Sequence, residues 1–416
     1  MTVAQGRRSW LSRHAIDVRP LRHPPFRRMF IGNAVSFFGY QFTAVAVPVQ
    51  VYALTHSNFW VGMVSFAGLL PLIVFSLWGG AIADAFDRRR VLLASSLLMW
   101  STTLALLVQA LLRVDSLSLI LVLVALQSAA FAVSNPTRSA ITPRLMPAAE
   151  VASAQTLSFT VGNVSSVAGP ITAGVVVAHL DVSIAYAVDA LAFTVALWAA
   201  LRLPALPAER TAAKSNGRLQ EVREGLRYLA GSKVILLTFA IDIVAMVLAL
   251  PRALFPAVAD ERFGVASLSW LYSAIAIGSV LAGLTSGWIG RVRRQGVALV
   301  LAVVAWGLAV AAAGAVPWLW AVVALLAVGG AADMISAVYR QTMLLTYAPD
   351  EMRGRLQGVF FAVVAGGPRL GDLRAGAMAQ VTGTTVAWVS GGLVAAAVAA
   401  LLAVAFPALL RYTARD

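Results

Sequence analysis

No cysteine occurs in the 416 residues, so the chain holds no disulfide framework, thiolate metal site or redox pair. Lysine is nearly missing too: Lys214 and Lys233 stand against 30 arginines, a skew that reads as codon bias. The histidines are His14, His23, His56 and His179, in the tail and in short polar gaps, too scattered for a metal site. Charge as a whole is scarce, at 12% of residues, where a soluble domain carries about 25%. Apolar residues fill the place of charge, at 60% of the chain with a mean hydropathy of +0.83. Twelve spans of about 20 residues would take up roughly 240 positions and leave room for loops and tails. The chain reads as an all-α polytopic membrane protein.

The net charge of +14 could suggest nucleic acid, but the charges punctuate apolar runs and form no stripe, so no nucleic-acid partner is expected. No Gly-x-x-x-x-Gly-Lys-Ser/Thr loop exists, because Lys214 follows Ala213 and Lys233 follows Ser232, which excludes a phosphate-binding loop of that type. Ser-His-Asp and clustered His arrangements are also missing. Neither an ATP-driven pump nor a membrane enzyme is expected, and no cofactor is implied. Arg7-Arg8-Ser9-Trp10-Leu11 superficially matches a twin-arginine signal, yet Ser12–Arg28 is polar and basic where an apolar region should follow. The expectation is a basic cytoplasmic tail with a short interfacial segment, Pro25–Phe30.

Apolar runs predict helices near 29–54, 59–83, 91–112, 117–140, 151–178 and 182–202, then near 233–258, 267–290, 296–315, 318–340, 352–378 and 384–410. The organisation predicted is a tail over 1–28, a six-helix bundle over 29–202, a linker over 203–232, a second bundle over 233–410 and a tail over 411–416. Within the linker, Leu219, Val222, Leu226 and Leu229 share one helical face, a pattern that suits an amphipathic helix on the membrane surface. Basic residues fix the orientation. Twenty-seven lie in the tails, in the linker and after even-numbered helices, counting Arg138 and Arg340 there; the opposite loops carry only Arg113 and Arg262. Both termini are therefore placed in the cytoplasm, in a multi-pass inner-membrane protein.

The halves repeat. Pro48, Gly80 and Arg88 recur as Pro251, Gly283 and Arg291, each shifted by 203; Arg138, Pro147 and Gln155 recur as Arg340, Pro349 and Gln357, each shifted by 202. Two triplets at nearly one offset argue for two parallel six-helix pseudo-repeats, a transporter architecture with its site between them at mid-membrane.

Between helices two and three runs Gly79-Gly80-Ala81-Ile82-Ala83-Asp84-Ala85-Phe86-Asp87-Arg88-Arg89-Arg90. Gly80 permits close helix approach, Asp84 can accept hydrogen bonds at a helix end, and Arg88, Arg89 and Arg90 suit an anionic inner surface. This segment resembles the signature loop of the major facilitator superfamily, with Ala85 where a basic residue is common and Asp87 where glycine is common. Those departures resemble the enterobactin-exporter branch. So do Ala46-Val47-Pro48-Val49-Gln50, Leu254–Asp260, Leu284-Thr285-Ser286-Gly287 and Tyr339-Arg340-Gln341-Thr342-Met343-Leu344, the last read as entering the loop after helix ten. Gly169-Pro170-Ile171-Thr172-Ala173-Gly174 in helix five resembles the superfamily's exporter motif, with Ala173 in place of one glycine; proline there frees a backbone carbonyl and kinks the helix. The resemblance covers roughly 25–405. It implies the major facilitator fold and a secondary active transporter working as a monomer.

Charges inside spans are costly and usually functional. Asp242 in helix seven and Asp333 in helix ten are the candidates for proton coupling or substrate binding, because the resemblance places those helices around the cavity. Arg252, Gln41 and the helix-eleven residues Arg369, Asp372 and Arg374 are further candidates; Arg369 and Asp372, three apart, can pair on one face. Asp189 in helix six reads as structural. Leu119–Val133 in helix four has no basic residue, where the superfamily's drug exporters commonly place an arginine. The resemblance implies a proton-coupled exporter of a small molecule such as a siderophore or drug-like compound. An uptake transporter, or multidrug efflux with no siderophore role, are the alternatives. An anionic catecholate would be offset by Arg252 and Arg369; a lipophilic drug would use Asp242, Asp333 and the aromatics Phe37, Phe38, Tyr40 and Phe42.

Overall fold

Pro24 and Pro25 open the first helix, where a missing N–H costs nothing and the fixed φ suits the first turn. That helix, α1, spans Pro24–Thr55. The computed structural model describes residues 17–207, 224, 227–347, 350–410 and 412. After α1 come α2 (Asn58–Ala85), α3 (Arg88–Leu111), α4 (Leu117–Ile141), α5 (Val151–His179) and α6 (Val182–Leu201). The second half holds α7 (Lys233–Ala249), α8 (Leu268–Leu284), α9 (Gln295–Ala315), α10 (Leu319–Tyr347), α11 (Asp350–Thr382) and α12 (Thr384–Ala405). Eleven spans among the described residues are long and apolar enough to cross a bilayer. In α11, Arg369, Asp372 and Arg374 interrupt the apolar run.

Caps and turns set the boundaries. Asp87, Ser116 and Asp181 accept N-terminal amides of α3, α4 and α6, satisfying donors the helix leaves open. Gly383, at φ +84°, makes the tight turn from α11 to α12 in a region that side chains disfavour. Several predicted boundaries move. Pro25–Phe30 forms the first turns of α1 itself, where Phe26 and Met29 are buried in a cluster with Leu92, Ile141 and Leu203. Helix seven stops at Ala249, short of 258, because Pro251 restricts its predecessor; the one-turn helix Phe255–Val258 and a wide π turn over Ala259–Phe263 follow. Helix eight ends at Leu284, and helix twelve at Ala405 before Pro407. Helix ten runs on to Tyr347, which places Arg340 inside it; Arg138 likewise falls inside α4. Neither is a loop charge. The face of the linker predicted as amphipathic lies outside the described residues except for Leu229, which is buried against Ile235, Leu344 and Leu356.

Packing repeats between the halves as the sequence offset does. In the first half α1 lies on α5 and α6, α2 on α4, and α3 on α4 and α6; in the second α7 lies on α11 and α12, α8 on α10, and α9 on α10 and α12. The halves meet along α2 with α11 and along α5 with α8. Among the described residues these meetings gather away from the termini. Ser57 Oγ donates to Gln380 Oε1 at 2.8 Å, Asn58 Nδ2 to Thr384 Oγ1 at 3.4 Å, and Ser65 Oγ to Asp372 Oδ2 at 2.6 Å. Val18, Leu206 and Tyr412 mark the other end: Leu206 packs with Phe26 near Val18, and Tyr412 O accepts from Gly296 N. There the half-buried carboxyl of Asp17 is held well below the usual carboxylate range, chiefly by the Arg19 side chain and then by the Ser153 hydroxyl.

Candidate functional site

At the end that bears the termini, Asp87 and the arginines behind it form a clamp. Asp87 Oδ1 accepts from Arg90 N at 3.1 Å and its Oδ2 from Leu206 N at 3.2 Å. Arg89 Nη2 donates to Leu201 O at 2.7 Å and Arg88 Nη1 to Ala140 O at 3.3 Å. Leu201 and Ala140 end α6 and α4, so both cations sit where the helix dipole is negative. Aspartate in place of the common glycine therefore joins the start of α3 to the segment leaving α6. Arg90 lies beside an apolar groove lined by Pro71, Leu98 and Val133. The side chains of Gly80 and Asp84 lie outside the described residues.

The helix-five motif works through its small residues. A Cβ on Gly169 would stand 2.6 Å from Gln41 Cβ, so α1 and α5 touch there without room for a side chain. Gln41 thus serves the helix contact. At Gly174 a Cβ would stand 2.6 Å from Ser269 Cα, at the start of α8 in the opposite half. Pro170 and Ala173 between them are buried.

In the second half, Arg340 reaches from α10 into the bundle with only 4% of its surface exposed. Its Nη1 lies 2.6 Å from Asp242 Oδ1 on α7, and its Nη2 lies 3.7 Å from Asp333 Oδ1 one helical stretch away on α10. The two predicted carboxylates are thus brought together by a cation that sequence reasoning had counted as a loop charge. Asp242 Oδ2 has no hydrogen-bond partner among the described residues. The available signal was the repeat itself, since Arg340 matches Arg138 at the common offset and equivalent positions in such halves share a depth.

Between the halves lies a cavity of about 320 Å³. Phe37, Tyr40 and Phe131 wall it on one side, and Arg252, Arg369 and Asp372 line it from the second half. Arg369 and Asp372 do not close into the predicted ion pair: Arg369 Nη1 donates to Ser128 Oγ on α4 at 3.1 Å, and Asp372 accepts from Ser65 on α2. Each reaches across to the other half instead, because α11 packs against α2 here and the intervening turn is taken up by that contact. Arg374 points away, its Nε donating to Val247 O at 3.1 Å. Asp189 is fully buried and accepts from Thr43, a residue that lines the cavity.

A second cavity of about 290 Å³ shares Phe37, Tyr40, Met99 and Phe131 with the first and extends towards the termini. Half-buried Arg138 lines it and donates to Asn33 Oδ1. The predicted gap in helix four holds for Leu119–Val133; the helix's cation comes lower, at position 138. Among the described residues no group of three or more His, Asp or Glu is arranged to hold a metal ion.

A family profile described as transmembrane secretion effector matches residues 15–414. The enterobactin exporter EntS of Shigella boydii serotype 18 is 30% identical over 389 residues, 90% of this chain and 89% of that protein; EntS of Escherichia coli O139:H28 matches to the same extent. Among solved structures, the nucleoside transporter NupG aligns with a TM-score of 0.73 at 17% identity, covering 94% of this chain and 100% of that one. The peptide transporter POT in complex with alafosfalin aligns at 0.76 and 12% identity, over 94% and 96%. A bacterial homologue of ferroportin in an inward-facing state aligns at 0.69 and 14%, over 93% and 98%.

Proposed function

The chain belongs to the transmembrane secretion effector family of the major facilitator superfamily; from that premise we propose that this secondary transporter is a proton-coupled exporter of a siderophore-class small molecule. The observation that carries the coupling is the Arg340–Asp242–Asp333 cluster. One guanidinium shared by two carboxylates at 2.6 and 3.7 Å is a set whose charge balances when one carboxyl takes a proton. Proton uptake therefore changes the hold of α10 on α7. A proton moving down 100 mV releases about 2.3 kcal/mol, enough for roughly fifty-fold accumulation.

The cargo passes the aromatic wall of Phe37, Tyr40 and Phe131, with Arg252 and Arg369 offsetting anionic groups in the middle cavity. Closure of the halves at the end away from the termini, with cavities reaching towards the termini, suits loading from the cytoplasm, where the basic tails and linker place that end. The two six-helix halves over 29–202 and 233–410 then act as the rocking units, one molecule sufficing. Gly80 and Asp84 belong to the latch of the cytoplasmic end. Asp84→Asn keeps the size and loses the charge, so it should insert normally and transport poorly; wild-type flux in that variant would reduce the loop to a topology signal.

Deleting the gene and comparing secreted with retained metabolites tests the proposal. A catecholate or similar chelator held back by the deletion strain, and released again on re-expression, supports it. Unchanged secretion with a lost ability to accumulate a nutrient would favour uptake.

A further inference from the structure

The repeat relates two arginines whose surroundings differ. Arg340 meets Asp242 at 2.6 Å and Asp333 at 3.7 Å, and so is neutralised within its own half. Arg138, its mate in α4, has no carboxylate within ion-pair distance among the described residues; its partner there is the neutral amide of Asn33. A half-buried guanidinium that faces a cavity with only neutral partners leaves its positive charge and spare N–H donors for an anion to meet. Arg138 borders the 290 Å³ cavity, near the lower limit of roughly 300 Å³ for ordinary ligand pockets. Ser134, Asn135 and Gln155 add donors beside it, and Phe30, Phe37 and Phe131 supply flat apolar walls.

We infer that this cavity is a loading subsite for the anionic group of an aromatic acid, with Arg138 as the residue that recognises it. A carboxylate or catecholate oxygen takes the place that Asp242 fills beside Arg340, while the ring lies against the phenylalanines. The inference deepens the export reading and rests on it for direction only. The middle cavity is less selective for an anion, since Asp372 lies among Arg252 and Arg369 and offsets part of their charge. Because the two cavities share Phe37, Tyr40 and Phe131, an anion held first at Arg138 has an aromatic path into the middle of the membrane.

Isothermal titration of the purified chain in nanodiscs at pH 7 provides the test, with 2,3-dihydroxybenzoate and its neutral amide, 2,3-dihydroxybenzamide, as probes. The wild type should bind the acid at least tenfold more tightly than the amide. Arg138→Gln should bring that ratio below about twofold, while Arg22→Gln, at an exposed cation near the same end that lines neither cavity, keeps it above about fivefold. A variant away from the cation guards against misfolding of Arg138→Gln. Gly162 lines the same cavity from α5, and a Cβ placed there meets nothing within 4 Å. Gly162→Phe should therefore fold, fill the subsite and abolish binding of the acid. Equal binding of the two probes by the wild type, an unchanged ratio in Arg138→Gln, a ratio lost in Arg22→Gln, or acid binding retained by folded Gly162→Phe would each overturn the inference. Acid selectivity that depends on Arg138 in a chain unable to expel any acid uphill would uphold the subsite and refute export.

Discussion

Arg340 and Arg138 show how the same residue type at the same place in a repeat can do different work. Removing one partner of a buried ion pair leaves an uncompensated charge, at a cost of about 3–5 kcal/mol. Arg340→Gln should thus lower the thermal unfolding temperature strongly, whereas Arg340→Gln with Asp242→Asn should recover most of the loss, as read by intrinsic tryptophan fluorescence in detergent. Equal destabilisation of the single and double variants would mean that the 2.6 Å pair contributes little. At this scale the sequence exposed the acids and hid their partner. Asp242 and Asp333 stand out because each interrupts an apolar run; Arg340 sits among Tyr339, Gln341 and Thr342, a polar stretch that looks like the end of a helix. Asp372 was visible for the same reason as Asp242, but its link to Ser65 on α2 depends on how two distant helices meet, which no spacing encodes.

Among the elements, α5 packs through the small residues of the motif that the sequence singled out. Its glycines mark close approaches on two sides, Gly169 to α1 and Gly174 to α8, and small residues at such contacts are what lipid-embedded packing favours. Gly174→Val should separate α5 from the start of α8. A cysteine placed at Ser267, which is only 2% exposed, should stay unlabelled by a membrane-impermeant maleimide in the otherwise wild-type chain and label readily beside Gly174→Val. The natural lack of cysteine makes that reading unambiguous. No change in labelling would show that the α5–α8 contact does not seal this end. Helix ends were less legible than helices. Pro251 announced a break that hydropathy alone ran through to 258, and α10 continued past Arg340 because a buried counter-charge offset the cost of its passage.

Over the whole molecule, the contacts between the halves among the described residues gather at the end away from the termini, and two cavities lie between that contact and the other end. Ser57 and Gln380 bridge the halves at 2.8 Å, so cysteines at both positions joined by a short bis-methanethiosulfonate linker should hold that end shut. Transport should stop, and reductant should restore it; flux that survives the link would rule out rocking about this contact. The twelve-helix plan and the repeat were readable from hydropathy, charge and the offset near 202, since lipid imposes those patterns on every span. Which helices carry the contact between the halves was not, because that packing depends on single small residues and not on periodicity.

The most direct measurement concerns coupling. Proteoliposomes loaded with the compound that the deletion strain retains allow uphill flux driven by a pH gradient to be compared with counterflow at zero gradient. Asp242→Asn and Asp333→Asn each hold one carboxyl of the Arg340 cluster permanently neutral, which fixes it in one stage of the cycle. At least one of them should lose gradient-driven accumulation and keep counterflow near the wild-type rate. If both variants still concentrate the compound against its gradient, the cluster does not carry the proton and the proposed mechanism is wrong.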